Sequence, residues 1–328
     1  MKKFAAIGLS LAFVFFFLSS CAQKPSFPVA GSAKATDMLT LIPQDAKGIF
    51  IANLHRAMET EAVQKAIKED ESYKKYQEFI ALSGIDPQKD LYFIAGVLSG
   101  QIGPAAQLGV ILLNLKYKKD MLLEKIKKAE TAIQEEVHNG ITIYSGAGVE
   151  AKKPASGAFL DDSNIAIGNK EAVKAVIDVY QKKADNVLKS KELSELIKNA
   201  NTDALFWSAF IFPPEVTKQL AAQNPMLKSL EGIKSFLIYF DYQNKNILAE
   251  IKALGADEEK NKQLAALLNG LKVGGALVST KDQDVADLMN RIDITSGSDY
   301  LRIYANIPED LLKKLGEKMK TPKKVESD

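Results

Sequence analysis

Short apolar runs that arrive in adjacent pairs, with little more than a turn between them, constrain this chain most. Two strands joined by so few residues must pair antiparallel, because a parallel return needs a crossover of a dozen residues or more. Ile49-Phe50-Ile51, 91–98 and 108–115 are branched or aromatic runs bounded by Gly, Pro or Asp, and they read as strands. His138-Asn139-Gly140 precedes Ile141-Thr142-Ile143-Tyr144 as an Asn-Gly hairpin turn. Asp161-Asp162-Ser163-Asn164 joins Ala158-Phe159-Leu160 to Ile165-Ala166-Ile167 in the same manner. Helical faces lie between these runs. Leu122, Ile126, Ala129 and Ile133 form one, with Asp120 in the N-cap position, and Val173, Val176, Ile177 and Tyr180 form another.

The order of elements recurs. Asp45-Ala46 opens 47–54, and Asp203-Ala204 opens 205–212, an offset of 203 minus 45, or 158 residues. Strand pairs follow in each half, at 91–98 with 108–115 and at 236–242 with 247–254. A Lys-rich amphipathic helix comes next, from Asp120 and from Asp257, the second with Leu264, Leu268 and Leu271 on one face. Gly140 to Tyr144 then corresponds to Gly297 to Ile307. The expected fold is α+β, two similar units of largely antiparallel sheet with helices packed on one face. Its parts are a signal segment at 1–20, a flexible tether at 21–37, units at 38–200 and 201–316, and a polar tail at 317–328. The pattern is similar to a group of uncharacterised bacterial envelope proteins built from two such halves, a resemblance that brings no activity and no signature residue.

The first twenty residues address the chain to a membrane. Lys2 and Lys3 precede Phe4 to Leu18, an uncharged, phenylalanine-rich run of fifteen residues. As a helix it spans about 22 Å, short of the roughly 30 Å hydrocarbon core, so it reads as a secretory signal. Leu18-Ser19-Ser20-Cys21 follows: a branched apolar residue, two small ones, then the only cysteine in the chain. This order resembles the lipobox of bacterial lipoproteins. The resemblance implies cleavage between Ser20 and Cys21, a diacylglyceryl group on the Cys21 thiol, and acylation of the new amino end. Ala22 stands where an acidic residue would, by that family's sorting rule, retain the protein at an inner membrane. The resemblance therefore implies a lipid-anchored envelope protein, on the outer membrane where the source has two. Residues 22–37 lack an apolar period and would reach about 22 Å as a flexible tether.

Charge excludes a polyanion-binding role. There are 43 Lys plus Arg against 41 Asp plus Glu, and removal of residues 1–20 deletes two lysines, leaving 41 against 41. Arg56, Arg291 and Arg302 are the only arginines, so bidentate contacts to phosphate or guanine are scarce and nucleic acid is not an expected partner.

Catalytic and metal motifs do not assemble. His55 and His138 are the only histidines and neither lies in H-E-x-x-H. G-x-S-x-G does not occur. Ser72-Tyr73-Lys74-Lys75 satisfies S-x-x-K without S-D-N or K-T-G and reads as a solvated helix face. Gly146-Ala147-Gly148-Val149-Glu150-Ala151 runs into Lys152-Lys153-Pro154, not into the helix a pyrophosphate needs. Glu69-Asp70-Glu71 reads as mixed-charge surface, Asp282-Gln283-Asp284 lacks the Gly and distal Glu of a calcium loop, and Asp161-Asp162 reads as turn geometry. No cofactor and no enzyme activity are expected.

One aromatic concentration stands out. Phe206, Trp207, Phe210 and Phe212 crowd one strand before Pro213-Pro214, with Trp207 on the face opposite the three phenylalanines. Trp207 is expected in the core at the seam between halves; the alternative is an apolar pocket of Phe206, Trp207 and Phe210 in an inter-domain cleft. The resulting expectation is a non-enzymatic interaction or scaffolding protein with an envelope protein partner, held to the membrane by acyl chains on Cys21. The alternative is a binding protein for an apolar or lipid-like ligand, and an envelope hydrolase is the least supported reading.

Overall fold

A computed structural model describes residue 28 and residues 31–69, 73–99, 107–129, 133–146, 155–223, 230, 232–278 and 282–320. Ser20, Cys21, Ser72 and most of the Gly146–Ala151 loop lie outside the described residues.

Among the described residues twelve strands form one sheet: β1 (Gly48–Asn53), β2 (Leu91–Ser99), β3 (Gln107–Leu115), β4 (Gln134–His138), β5 (Ile141–Gly146), β6 (Ala155–Phe159), β7 (Asn164–Gly168), β8 (Phe206–Ile211), β9 (Ser235–Gln243), β10 (Asn246–Leu254), β11 (Ile292–Ser296) and β12 (Tyr300–Pro308). Their spatial order is β11-β12-β10-β9-β8-β1-β2-β3-β7-β6-β5-β4. Every neighbouring pair is antiparallel. The helices are α1 (Ala35–Met38), α2 (Leu54–Met58), α3 (Glu61–Glu69), α4 (Tyr73–Ser83), α5 (Pro87–Asp90), α6 (Lys119–Ala129), α7 (Lys170–Tyr180), α8 (Leu193–Lys198), α9 (Pro214–Gln223), α10 (Glu258–Val278), α11 (Gln283–Asn290) and α12 (Glu309–Lys320).

Local chemistry explains the hairpins. Asn139 and Gly140 take φ of 48° and 81°, the paired left-handed geometry of a tight hairpin turn. At the next hairpin the Asp161 carboxylate accepts from the Ser163 and Asn164 amides, each at 2.8 Å, and so builds the turn from its own side chain.

The two halves meet where β1 pairs with β8, from Gly48 opposite Phe210 to Ala52 opposite Phe206. The 158-residue offset is visible in the bonds flanking this ladder. The Asn53 amide donates to the Leu205 carbonyl and the Ile211 amide to the Lys47 carbonyl; 53 and 47 become 211 and 205 when 158 is added. The third strand of each half, β3 or β10, is flanked by β7 or β12, and each of these precedes a helix. Thus β12 occupies the place of β7, and not that of Gly140–Tyr144 as element order suggested. The first half carries the additional hairpin β4-β5, which shifts the count along the chain without shifting the sheet.

The α+β class and antiparallel sheet are as expected, but the helices pack on both faces. Ile49, Ile51, Val110, Leu112, Ala166 and Trp207 face one core, which α7 and α8 cover. The residues that alternate with them face the other way: Leu115, Phe159 and Ile165 meet Leu122 and Leu123 of α6, while Ala253 and Leu301 meet Leu264 and Ala265 of α10. A strand buried on both faces reads as a continuous apolar run, as 91–98 does.

Element ends differ in several places, among them Ile133, which lies beyond the end of α6 at Ala129 and not on its face. Asp120 lies inside the first turn of α6 instead of capping it. Helix α1 begins within the stretch expected to be tether, with Ala35 and Met38 buried, and α12 continues to Lys320, past the expected start of the tail. The acids at Asp282 and Asp284 both pair with Lys318, at 2.6 and 2.5 Å, and so fix α12 against α11.

An ion pair with a buried carboxylate joins the halves. Asp241 of β9, almost inaccessible, accepts from Arg56 Nη2 at 2.8 Å, from Gln243 Nε2 at 2.6 Å and from the Tyr242 amide at 2.9 Å. The other arm of Arg56 donates to the Asp203 carbonyl at 2.6 Å. At the β4 edge, Glu136 meets Lys170 at 2.5 Å and Lys174 at 2.9 Å; hydrogen bonds from the two ammonium groups pull its carboxyl down to about 2. Charge on an outer strand also discourages pairing with another chain.

Candidate functional site: an apolar cavity under two helices

Between α4, α6 and the sheet lies an open cavity of about 620 Å³. Its floor is the face of β3, β7, β6 and β5 that looks away from the main core, and includes Leu113, Ile165, Ile167 and Tyr144. Gly157 lies between Tyr144 and Ile167 in the strand register, so the floor has no side chain there. Phe79 and Leu82 of α4 and Leu122 and Ile126 of α6 form its walls.

The walls are held by specific contacts. Gly84 ends α4 with φ of 69°, a left-handed turn that suits glycine, and the Met121 side chain of α6 packs beside it. Tyr76 Oη donates to Asp86 at 2.9 Å, and Asp86 accepts the Gln88 amide at the start of α5. Burial and the Asp86 carboxylate push the Tyr76 hydroxyl up to about 12. Burial by itself would raise Asp86, but hydrogen bonds from Lys89 and Tyr76 outweigh it and hold that carboxyl low.

The cavity concentrates unsatisfied apolar surface. Of ten large apolar side chains that are exposed among the described residues, four line it: Phe79 at 47%, Leu82 at 70%, Ile126 at 41% and Ile167 at 40%. The second half is packed otherwise on the same face, where Leu264 and Ala265 of α10 are buried against Ala253 and Leu301. Exposed apolar side chains gathered in one concavity signal a binding surface, whereas scattered ones do not.

Cations rim this apolar space, all from α6. Lys125 is half-buried in the lining and its Nζ reaches the Ala81 carbonyl of α4 at 3.3 Å. Lys119 Nζ lies 5.7 Å from the Phe159 ring centroid. Lys127 Nζ lies 6.0 Å from the Tyr144 ring and pairs with Glu135 at 2.7 Å.

The residues singled out from sequence lie elsewhere. Trp207 is fully buried in the main core at the β1–β8 seam, and its indole nitrogen has no hydrogen-bond partner. Phe206 stacks on Phe50 with centroids 6.1 Å apart, and Phe210 on Phe236 at 5.4 Å, both on the opposite face. These three residues therefore share no wall, and none lines the cavity. His55 packs 4.9 Å from the Tyr92 ring and pairs with Glu59 at 3.6 Å. His138 bonds Asp178 at 2.7 Å and ties the β4-β5 turn to α7. Among the described residues no group of three or more His, Cys, Asp or Glu is placed to hold a metal, and no helix is long and apolar enough to cross a membrane.

A family model described as protein of unknown function (DUF3352) matches residues 105–284, which is 180 of the 328 residues. The chain belongs to the DUF3352 family. The match takes in β3, β5, β6, β7 and α6, hence the cavity floor and its cationic wall, but not α4. No curated protein matches this DUF3352 member. Three solved structures align with it, crystal forms III, IV and I of TP0453, at 10%, 10% and 9% identity. They cover 85%, 84% and 86% of this chain and 97%, 95% and 98% of theirs, with TM-scores of 0.45, 0.45 and 0.43.

Proposed function

We propose that this DUF3352 protein is a lipid-anchored cell-envelope protein that binds an apolar, lipid-like ligand between α4, α6 and the sheet. The observation that carries the reading is the cavity itself: about 620 Å³ of open space against Phe79, Leu82, Ile126 and Ile167. The cavity supports ligand binding over the scaffolding role that the sequence favoured, at a proposed site in the first half instead of an inter-domain cleft. Each methylene transferred from water into such a space contributes about 0.8 kcal/mol, so a chain of modest length suffices for stable binding.

A neutral apolar fluorophore, N-phenyl-1-naphthylamine, provides the test. Its emission should rise on mixing with the protein, and Leu82→Glu, at an exposed position that the fold does not need, should weaken binding at least tenfold. Equal binding by wild type and Leu82→Glu, or no binding by either, would remove the reading. The anchor is tested separately by growth with tritiated palmitate: label should enter the protein and vanish in Cys21→Ala, and label that persists in the variant argues against acylation at that thiol.

A further inference from the structure

The cavity combines an apolar floor with an ammonium group at its mouth. Lys125 enters the lining from α6, and its Nζ spans to the carbonyl of Ala81 on α4, the helix opposite. Lys119, on the same helix, lies over Phe159, which is itself part of the floor. Among the described residues neither lysine pairs with a carboxylate, whereas Lys127, Lys128, Lys170 and Lys174 nearby all do. A solvent-exposed ammonium at the mouth, whose stem is part of the lining and which bonds a neutral carbonyl at the long distance of 3.3 Å, retains most of its capacity for an anion.

Volume restricts the apolar part. At about 30 Å³ for each water-sized group, 620 Å³ holds roughly twenty non-hydrogen atoms, which matches one long acyl chain; a second would project through the open mouth.

We infer that the ligand is a single-chain anionic lipid, its acyl chain against Leu113, Ile165 and Ile167 and its carboxylate or phosphate at Lys125. This rests on the apolar-ligand reading above and adds the charge and the number of chains. Two sources share this chemistry, a free fatty acid and a monoacyl phospholipid.

Displacement of N-phenyl-1-naphthylamine from the full chain by four competitors separates the outcomes: palmitate, monopalmitoyl phosphatidylglycerol, hexadecanol and dipalmitoyl phosphatidylglycerol. Palmitate, the monoacyl lipid or both should displace the dye more tightly than the uncharged alcohol, and the diacyl lipid should not compete. Whichever of the two anions is the tighter identifies the source. Lys125→Met keeps the apolar stem and should weaken the charged competitors about fivefold relative to hexadecanol, the size of a partly exposed ion pair, and Lys125→Arg should restore the difference. If hexadecanol matches palmitate, if Lys125→Met leaves palmitate unaltered, or if the diacyl lipid competes best, this inference fails although the cavity still binds apolar molecules. If the dye itself does not bind, the functional reading fails as well.

Discussion

Replacing Asp241 with alanine should lower the stability of the folded chain by about 2–4 kcal/mol, because the buried carboxylate is the acceptor for several donors that its loss would strand. The carboxylate collects Arg56, the Gln243 amide and two backbone amides in almost complete burial, so its loss leaves several donors without an acceptor. Arg56, about a third exposed, can recover some hydration; the Leu205 amide, in the buried strand junction, cannot. Asp241→Asn preserves volume and one acceptor, and should cost clearly less. Urea denaturation followed by far-ultraviolet circular dichroism measures both. A loss below about 1 kcal/mol in the alanine variant, with an unchanged slope against urea, would show that the pair does not clamp the halves.

Trp207→Ala should be of similar size, about 3–5 kcal/mol, because the indole is wholly buried between β1 and β9 where nothing can move in to fill its space. Trp207→Phe is the informative companion. The indole N–H has no acceptor, so phenylalanine removes a buried unpaired donor along with part of the ring. The two effects oppose each other, and the phenylalanine variant should retain most of the stability. Trp207 is the only tryptophan, so tryptophan fluorescence cannot follow these variants and circular dichroism serves instead. A phenylalanine variant as unstable as the alanine one would mean that indole shape, not burial, holds the seam.

The legible parts of the fold were those decided by neighbours in sequence. Asn139-Gly140 and Asp161 carry their turns in their own chemistry, and the helical stripe of Val173, Val176, Ile177 and Tyr180 is buried throughout. The side of the sheet on which a helix packs was not legible, since a stripe says that a helix has an apolar face and nothing about where that face goes. The continuous apolar run of β2 did hold the information that both faces are covered. The candidate site was half visible. Leu122 and Ile126 belong to the recognised stripe of α6, but a stripe that fills a core and one that borders an empty space have the same period. Phe79 and Leu82 lie on a helix whose first turn, Tyr73-Lys74-Lys75, reads as solvated, which drew attention away from its apolar end. Aromatic density pointed instead to Phe206, Trp207 and Phe210, where the rings are used for packing.

The pairing of β1 with β8 also sets a timetable for folding. As the chain is made, β1 can pair with β2 soon after both exist, but its other edge has no partner until Phe206, which is 206 minus 53, or 153 residues beyond the end of β1. Closing so long a loop is slow, and contacts of this separation come late. In that interval the first half presents an open, apolar strand edge able to template another chain, so the molecule is most exposed to misassembly in the window before its second half is complete.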